Sequence, residues 1–151
     1  MKPLKTSEVL PNIFAISNKQ VNFYLIRLPN QKCIAFDAGA SENLSLLELG
    51  KLSIKADDVT TVFLTHTDSD HVGAIGLFPQ AHVYISKPEE QMIDGSTKRA
   101  IFMRNNKLER SYETLSDGET VDIDGTSIKC MVTPGHTKGS ACFIVNGKHL
   151  F

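Results

Sequence analysis

The sequence predicts a mixed α/β fold, on three observations. Up to Phe36, short apolar runs alternate with turn chemistry; from Ser41 onward helix and strand signals alternate; and Asp124-Gly125 marks a hairpin near the far end of the chain. Three apolar stretches, 12–16, 21–28 and 33–36, are broken by Ser17-Asn18-Lys19 and Pro29-Asn30-Gln31, which reads as an antiparallel meander. Asp37-Ala38-Gly39 closes the third strand. Ser41 can cap a helix that points Leu44, Leu47 and Leu49 inward and stops at Gly50.

Residues 59–64 form a β-branched apolar run suited to a buried strand, and lead directly into Thr65-His66-Thr67-Asp68-Ser69-Asp70-His71. A short helix is expected over 72–78, ended by Pro79, and a strand over 81–85. Ser86-Lys87-Pro88-Glu89 has capping-box spacing with proline in the first turn, so a helix should run from there toward Gly95. The stretch 96–116 is polar and weakly periodic, and is expected to be mobile with a helical turn around 99–104. Strands at 121–123 and 126–132 flank Asp124-Gly125, Pro134-Gly135-His136 makes a rigid turn, and a last strand begins at 141–145.

The chain has 151 residues, 41% hydrophobic and 22% charged, which suits a single domain, 1–151, with one substantial core. A formal net charge of -1 with scattered basic residues disfavours nucleic acid and anionic membrane as partners and favours a small-molecule substrate. No stretch approaches the roughly eighteen apolar residues that span a bilayer, and the opening lysines are followed by no long apolar run, so a cytoplasmic location is expected. Cys33, Cys130 and Cys142 are odd in number, form no C-x-x-C pair and lie in strand-like surroundings. They read as buried thiols.

Four potential metal ligands, His66, Asp68, Asp70 and His71, fall within six residues between a buried strand and a helix. Imidazole nitrogen and carboxylate oxygen suit zinc, iron or manganese, and the lack of thiolates argues for an open, catalytic centre. The competing explanation is that Asp68 and Asp70 cap the helix and the histidines are solvated, which leaves two bracketing histidines without a reason. Thr133-Pro134-Gly135-His136-Thr137 sets a further histidine at a strand end.

Together these features resemble the metallo-β-lactamase superfamily, whose signature is H-x-H-x-D-H after a buried strand, with a later histidine in a T-P-G-H-T turn. The resemblance runs through nearly the whole chain, including Asp37-Ala38-Gly39, where the family has its first motif. It implies an αββα sandwich, with the C-terminal part missing from these residues, and two divalent metal ions, zinc first, with iron or manganese possible. His66, Asp68 and His136 would bind the first ion and Asp70 and His71 the second, with Asp70 also orienting the attacking water. The implied activity is hydrolysis of a small ester, thioester, lactone, amide or phosphoester, in the style of glyoxalase-II-like thioesterases and lactonases.

The chain departs from that pattern at two places. Asp68 stands where most of the family has histidine; the flavodiiron branch has glutamate there, so a diiron oxidoreductase needing a separate electron donor is an alternative. The family's bridging aspartate, expected one strand after the turn, would fall just beyond Phe151. Its loss would suit a non-catalytic metal-binding or scaffold domain, and uncovered strand surface would favour a homodimer. His82 and His149 read as ordinary strand residues, and Tyr112 and the Lys98-Arg99 pair as solvated surface, the alternative being contact with an anionic substrate.

Overall fold

The computed structural model describes residues 2–94, 96 and 107–151. Among them two sheets pack face to face. The larger has seven strands in the order of the chain: β1 (Ser7–Leu10), β2 (Ile13–Asn18), β3 (Val21–Arg27), β4 (Cys33–Phe36), β5 (Val59–Phe63), β6 (His82–Ser86) and β7 (Glu113–Leu115). The first four pair antiparallel, and β4 through β7 pair parallel. The smaller sheet is antiparallel, in the order β11 (His149–Leu150), β10 (Ala141–Val145), β9 (Thr126–Val132), β8 (Thr120–Ile123).

Side-chain alternation along the strands builds two cores from one sheet. On β4, Cys33 and Ala35 face the helices while Ile34 and Phe36 face the small sheet; on β5, Val62 faces the helices and Phe63 the small sheet. The helix-side core gathers Phe14, Ile16, Phe23, Leu25, Leu49 and Phe78. Between the sheets Phe36 stacks on Phe63 and Phe151, with centroids 5.7 and 4.3 Å away, and tilts against Phe143. Burial of each such ring contributes about 1.5–3 kcal/mol, so this aromatic stack is what welds the sheets together. No helix covers the outer face of the small sheet among the described residues, and no described helix is long and apolar enough to cross a membrane.

Several local expectations are corrected. Helix α1 (Glu42–Lys51) forms, but it buries Ser45, Glu48 and Leu49 and leaves Leu47 exposed. Polar contacts decide this face: buried Asn18 donates to Ser45 Oγ and Ser41 O, and Glu48 accepts from Thr6 and Lys51. The helix expected over 72–78 splits into α2 (Ser69–Val72) and a 3-10 turn at Ile75–Leu77. Ser86 does not cap with its side chain; its hydroxyl donates to Gly139 O, a 3-10 turn follows at Lys87–Glu89, and α3 is only Glu90–Ile93. Part of the stretch expected to be mobile is ordered. Leu108 is buried, Arg110 donates to the carbonyls of Ile75, Phe78 and Ala81, and 113–115 supplies the edge strand β7. The helical turn expected around 99–104 and the Lys98-Arg99 pair lie outside the described residues.

The Asp124-Gly125 hairpin joins β8 to β9 as expected, with φ of +50° and +82° at its two central residues. β1 has no counterpart among the expected strands; its four residues are all exposed, so no apolar alternation announced it.

Candidate metal centre

The parallel strand β5 ends at Phe63, and the chain leaves the sheet through Leu64 and Thr65 into the polar loop. Asp37, at the end of neighbouring β4, fixes that exit: its carboxylate accepts from Thr65 N at 2.8 Å and from the Thr65 hydroxyl. Asp37 adopts φ +66°, a left-handed conformation that aspartate tolerates better than most residues. From the other sheet, Ala141 N donates to Thr65 O at 2.8 Å, so the Thr133–Ser140 turn is drawn against the same loop.

This brings three of the expected ligands together. The nearest ligand atoms of His66, Asp68 and His136 all lie within 4.8 Å of one another. His136 Nε2 is 3.0 Å from Asp68 Oδ2, and His66 Nε2 is 3.6 Å from the same oxygen. Ligands on a tetrahedral ion at 2.0–2.2 Å stand about 3.3–3.6 Å apart, so the set needs little adjustment to close on one. Asp68 occupies the N-cap position of α2 but makes no side-chain cap bond; its carboxylate points across to His136 instead. The shorter reach of aspartate therefore does not leave it outside the cluster.

His71 and Asp70 form the adjoining pair. The His71 ring centroid is 4.0 Å from that of His66, and His71 Nε2 is 3.7 Å from Asp70 Oδ2. Asp70 is half exposed and lines a groove of about 390 Å³ with Lys19, Gln20, Val21, Ala40, Ser69 and Gly73. His149 is not in the cluster; it lies on β11 beside Leu10 and Tyr24, and His82 is exposed on β6. Tyr112, read as solvated surface, is instead half-buried against the helix-side core with its hydroxyl 3.4 Å from Glu90.

The proton arrangement of the histidines follows from their partners. Thr65 Oγ1 is 2.9 Å from His66 Nδ1 and donates to Asp37, so Nδ1 of His66 is left to donate to Thr65 and Nε2 carries the lone pair. That Nε2 is buried and has no hydrogen-bond partner among the described residues. A buried imidazole nitrogen with an unused lone pair, facing a carboxylate and a second imidazole, is suited to a cation. Burial and the neighbouring His71 push the His66 imidazole below its ordinary value, which keeps it in the neutral form a metal requires. His71 behaves oppositely. Burial would lower it, but the 2.7 Å bond from Nδ1 to Asp37 and the charges of Asp37, Asp70 and Asp68 outweigh that effect and raise it.

Asp37 and Glu89 are the residues that sequence reasoning did not assign to the site. Asp37 carried a signal, since an aspartate at the end of the strand that pairs with β5 is placed to reach the loop after β5. Glu89 carried none, because its contacts are 22 to 50 residues away in the chain.

The sequence profile described as the Metallo-beta-lactamase superfamily matches residues 17–150, and the chain belongs to that family. An atrochrysone carboxyl ACP thioesterase of Passalora fulva is 24% identical over 130 residues, 82% of this chain and 33% of that protein. A probable polyketide biosynthesis zinc-dependent hydrolase of Bacillus subtilis is 33% identical over 90 residues, 58% of this chain and 35% of the other. A class B3 di-zinc metallo-β-lactamase from an Alaskan soil metagenome superposes with a TM-score of 0.79 at 24% identity, over 99% of this chain and 61% of that one. The shared architecture is the αββα sandwich, of which the described residues supply the two sheets and one helical layer. This chain spans about a third of the length of the curated relatives it matches.

Proposed function

We propose that this chain carries the metal centre of a metal-dependent hydrolase for a small ester, thioester, lactone, amide or phosphoester. The observation that carries the reading is the buried, unpartnered Nε2 of His66 beside Asp68 and His136. Family membership and the named hydrolases among its relatives support the reaction class. His66, Asp68 and His136 would hold one divalent ion, with Asp70 and His71 contributing to a second, and zinc is the proposed metal. Such an ion supplies Lewis acidity toward a substrate oxygen and toward water.

The chain's own residues do the rest. Asp37 holds His71 with Nδ1 protonated, which leaves Nε2 as its ligand atom. Asp70, half exposed beside His71, would accept a proton on its carboxylate and orient the attacking water. The groove beside it has the volume of a small-ligand site and offers Val21 and Ala40 to an apolar substituent and Lys19 to an anionic one.

Zinc titration monitored by calorimetry, followed by assay of thioesters, lactones and phosphodiesters, tests the reading. Binding that is lost together in His66→Ala and His136→Ala is expected. Binding indifferent to both substitutions would refute it.

A further inference from the structure

Glu89 is fully buried, yet its carboxylate reaches both ligand-bearing segments. One oxygen accepts from Thr67 N at 2.8 Å and from Thr67 Oγ1 at 2.7 Å; the other accepts from Thr137 Oγ1 at 2.6 Å and Gly139 N at 3.2 Å. Thr67 lies between His66 and Asp68 in the chain, and Thr137 follows His136. One side chain thus grips the immediate neighbours of all three ligands, from segments belonging to different sheets. The approach is tight: a Cβ on Gly139 would overlap the Glu89 backbone, and Ser86 secures the same turn through Gly139 O. Thr137 is further held by Ser140, whose hydroxyl accepts from Thr137 N at 2.9 Å.

We propose that Glu89 is a positioning residue that sets the spacing between the His66–Asp68 loop and the His136 turn, and thereby the affinity and geometry of the metal centre. This rests on the metal-centre reading above. Four donors converge on two oxygens, so every lone-pair direction that matters is an acceptor. In Glu89→Gln one end must become an NH2 group. If the amide oxygen stays on Thr67, the new N–H groups meet the Gly139 N–H, two donors face each other, and the turn carrying His136 is pushed away. The opposite flip sets the amide against Thr67 N and displaces the loop. Either way the ligands separate while the side-chain volume is kept.

The test uses Co²⁺ alone, whose absorption spectrum reports coordination geometry, with affinity measured by competition against a chromophoric chelator. Removal of groups that orient metal ligands weakens binding about 10- to 100-fold, and a loss of that size with an altered cobalt spectrum is expected for Glu89→Gln. Ile128→Val, which loosens packing between the sheets away from the site, should lower the unfolding midpoint while leaving cobalt affinity and spectrum unchanged. Thr137→Val keeps the volume and removes one donor; it should weaken cobalt several-fold, and it serves where Glu89→Gln does not fold. Wild-type affinity and spectrum in the folded Glu89→Gln or Thr137→Val proteins would overturn the proposal while leaving the metal centre standing. Failure of the unaltered protein to bind Co²⁺ or Zn²⁺ would overturn both.

Discussion

Asp37→Asn isolates the link between the fold and the chemistry of His71. The wild-type carboxylate is nearly buried and accepts from Thr65 N, from Thr65 Oγ1 and from His71 Nδ1 at 2.7 Å. Asparagine fits the same volume and tolerates φ +66°, so the backbone adds no penalty. The Thr65 N–H fixes the amide oxygen toward itself, and the NH2 group then faces His71 Nδ1. That nitrogen must accept, its proton moves to Nε2, and the lone pair that would face a metal is lost. One charge-assisted hydrogen bond disappears, which should destabilise the fold by about 1.5–3 kcal/mol. Because His71 is raised in the folded state, its contribution is fully present below its unfolded value and is lost as pH rises through the folded one. The stability gap between wild type and variant should therefore be wide at pH 5.5 and narrow at pH 9. Urea unfolding at the two pH values gives the gap, and nitrogen-15 NMR of the histidine ring gives the tautomer. A variant that keeps the proton on Nδ1, or a gap that widens with pH, would refute the reasoning.

Other perturbations report on separate parts of the molecule. Asp68→His should raise the ratio of zinc to iron and manganese in protein purified in parallel, read by elemental mass spectrometry, because an imidazole softens the site; identical profiles would show that Asp68 does not tune it. Phe36→Ala removes the ring stacked between Phe63 and Phe151 and should cost about 3–5 kcal/mol in denaturant unfolding. Alkylation of the native protein at pH 8 should label Cys142 well before Cys33 or Cys130, since those two are buried and burial pushes the Cys130 thiol up to about 11; mass spectrometry after a time course decides the order.

The residues whose signals are local were legible in the sequence. Val59–Phe63 is β-branched and apolar, so its strand could be read directly, and the four candidate ligands after it are neighbours in the chain. The Asp124-Gly125 turn needs positive φ at both positions, and those residues supply it. What depends on distant partners was not legible. Strand β7 exists because β6 offers it a parallel edge, and its three residues carry no period of their own. Leu47 turned outward because Asn18, 29 positions away, claims the opposite face of α1 through Ser45. Glu89 looked like half of a helix cap, and only the meeting of two loops reveals it as a bridge between them.

The candidate ligands come from loops rooted in different sheets, His66 and Asp68 beyond β5 and His136 beyond β9. An ion held by all three would act as a clasp across the sandwich, and its free concentration would enter the folding equilibrium by mass action. At one hundred times its dissociation constant such an ion adds about 2.7 kcal/mol to the folded state. Metal supply would then govern how long the protein persists in its folded state. Chelator should shorten its survival under limited proteolysis, and an unchanged digestion rate would mean that the sheets hold together without the clasp.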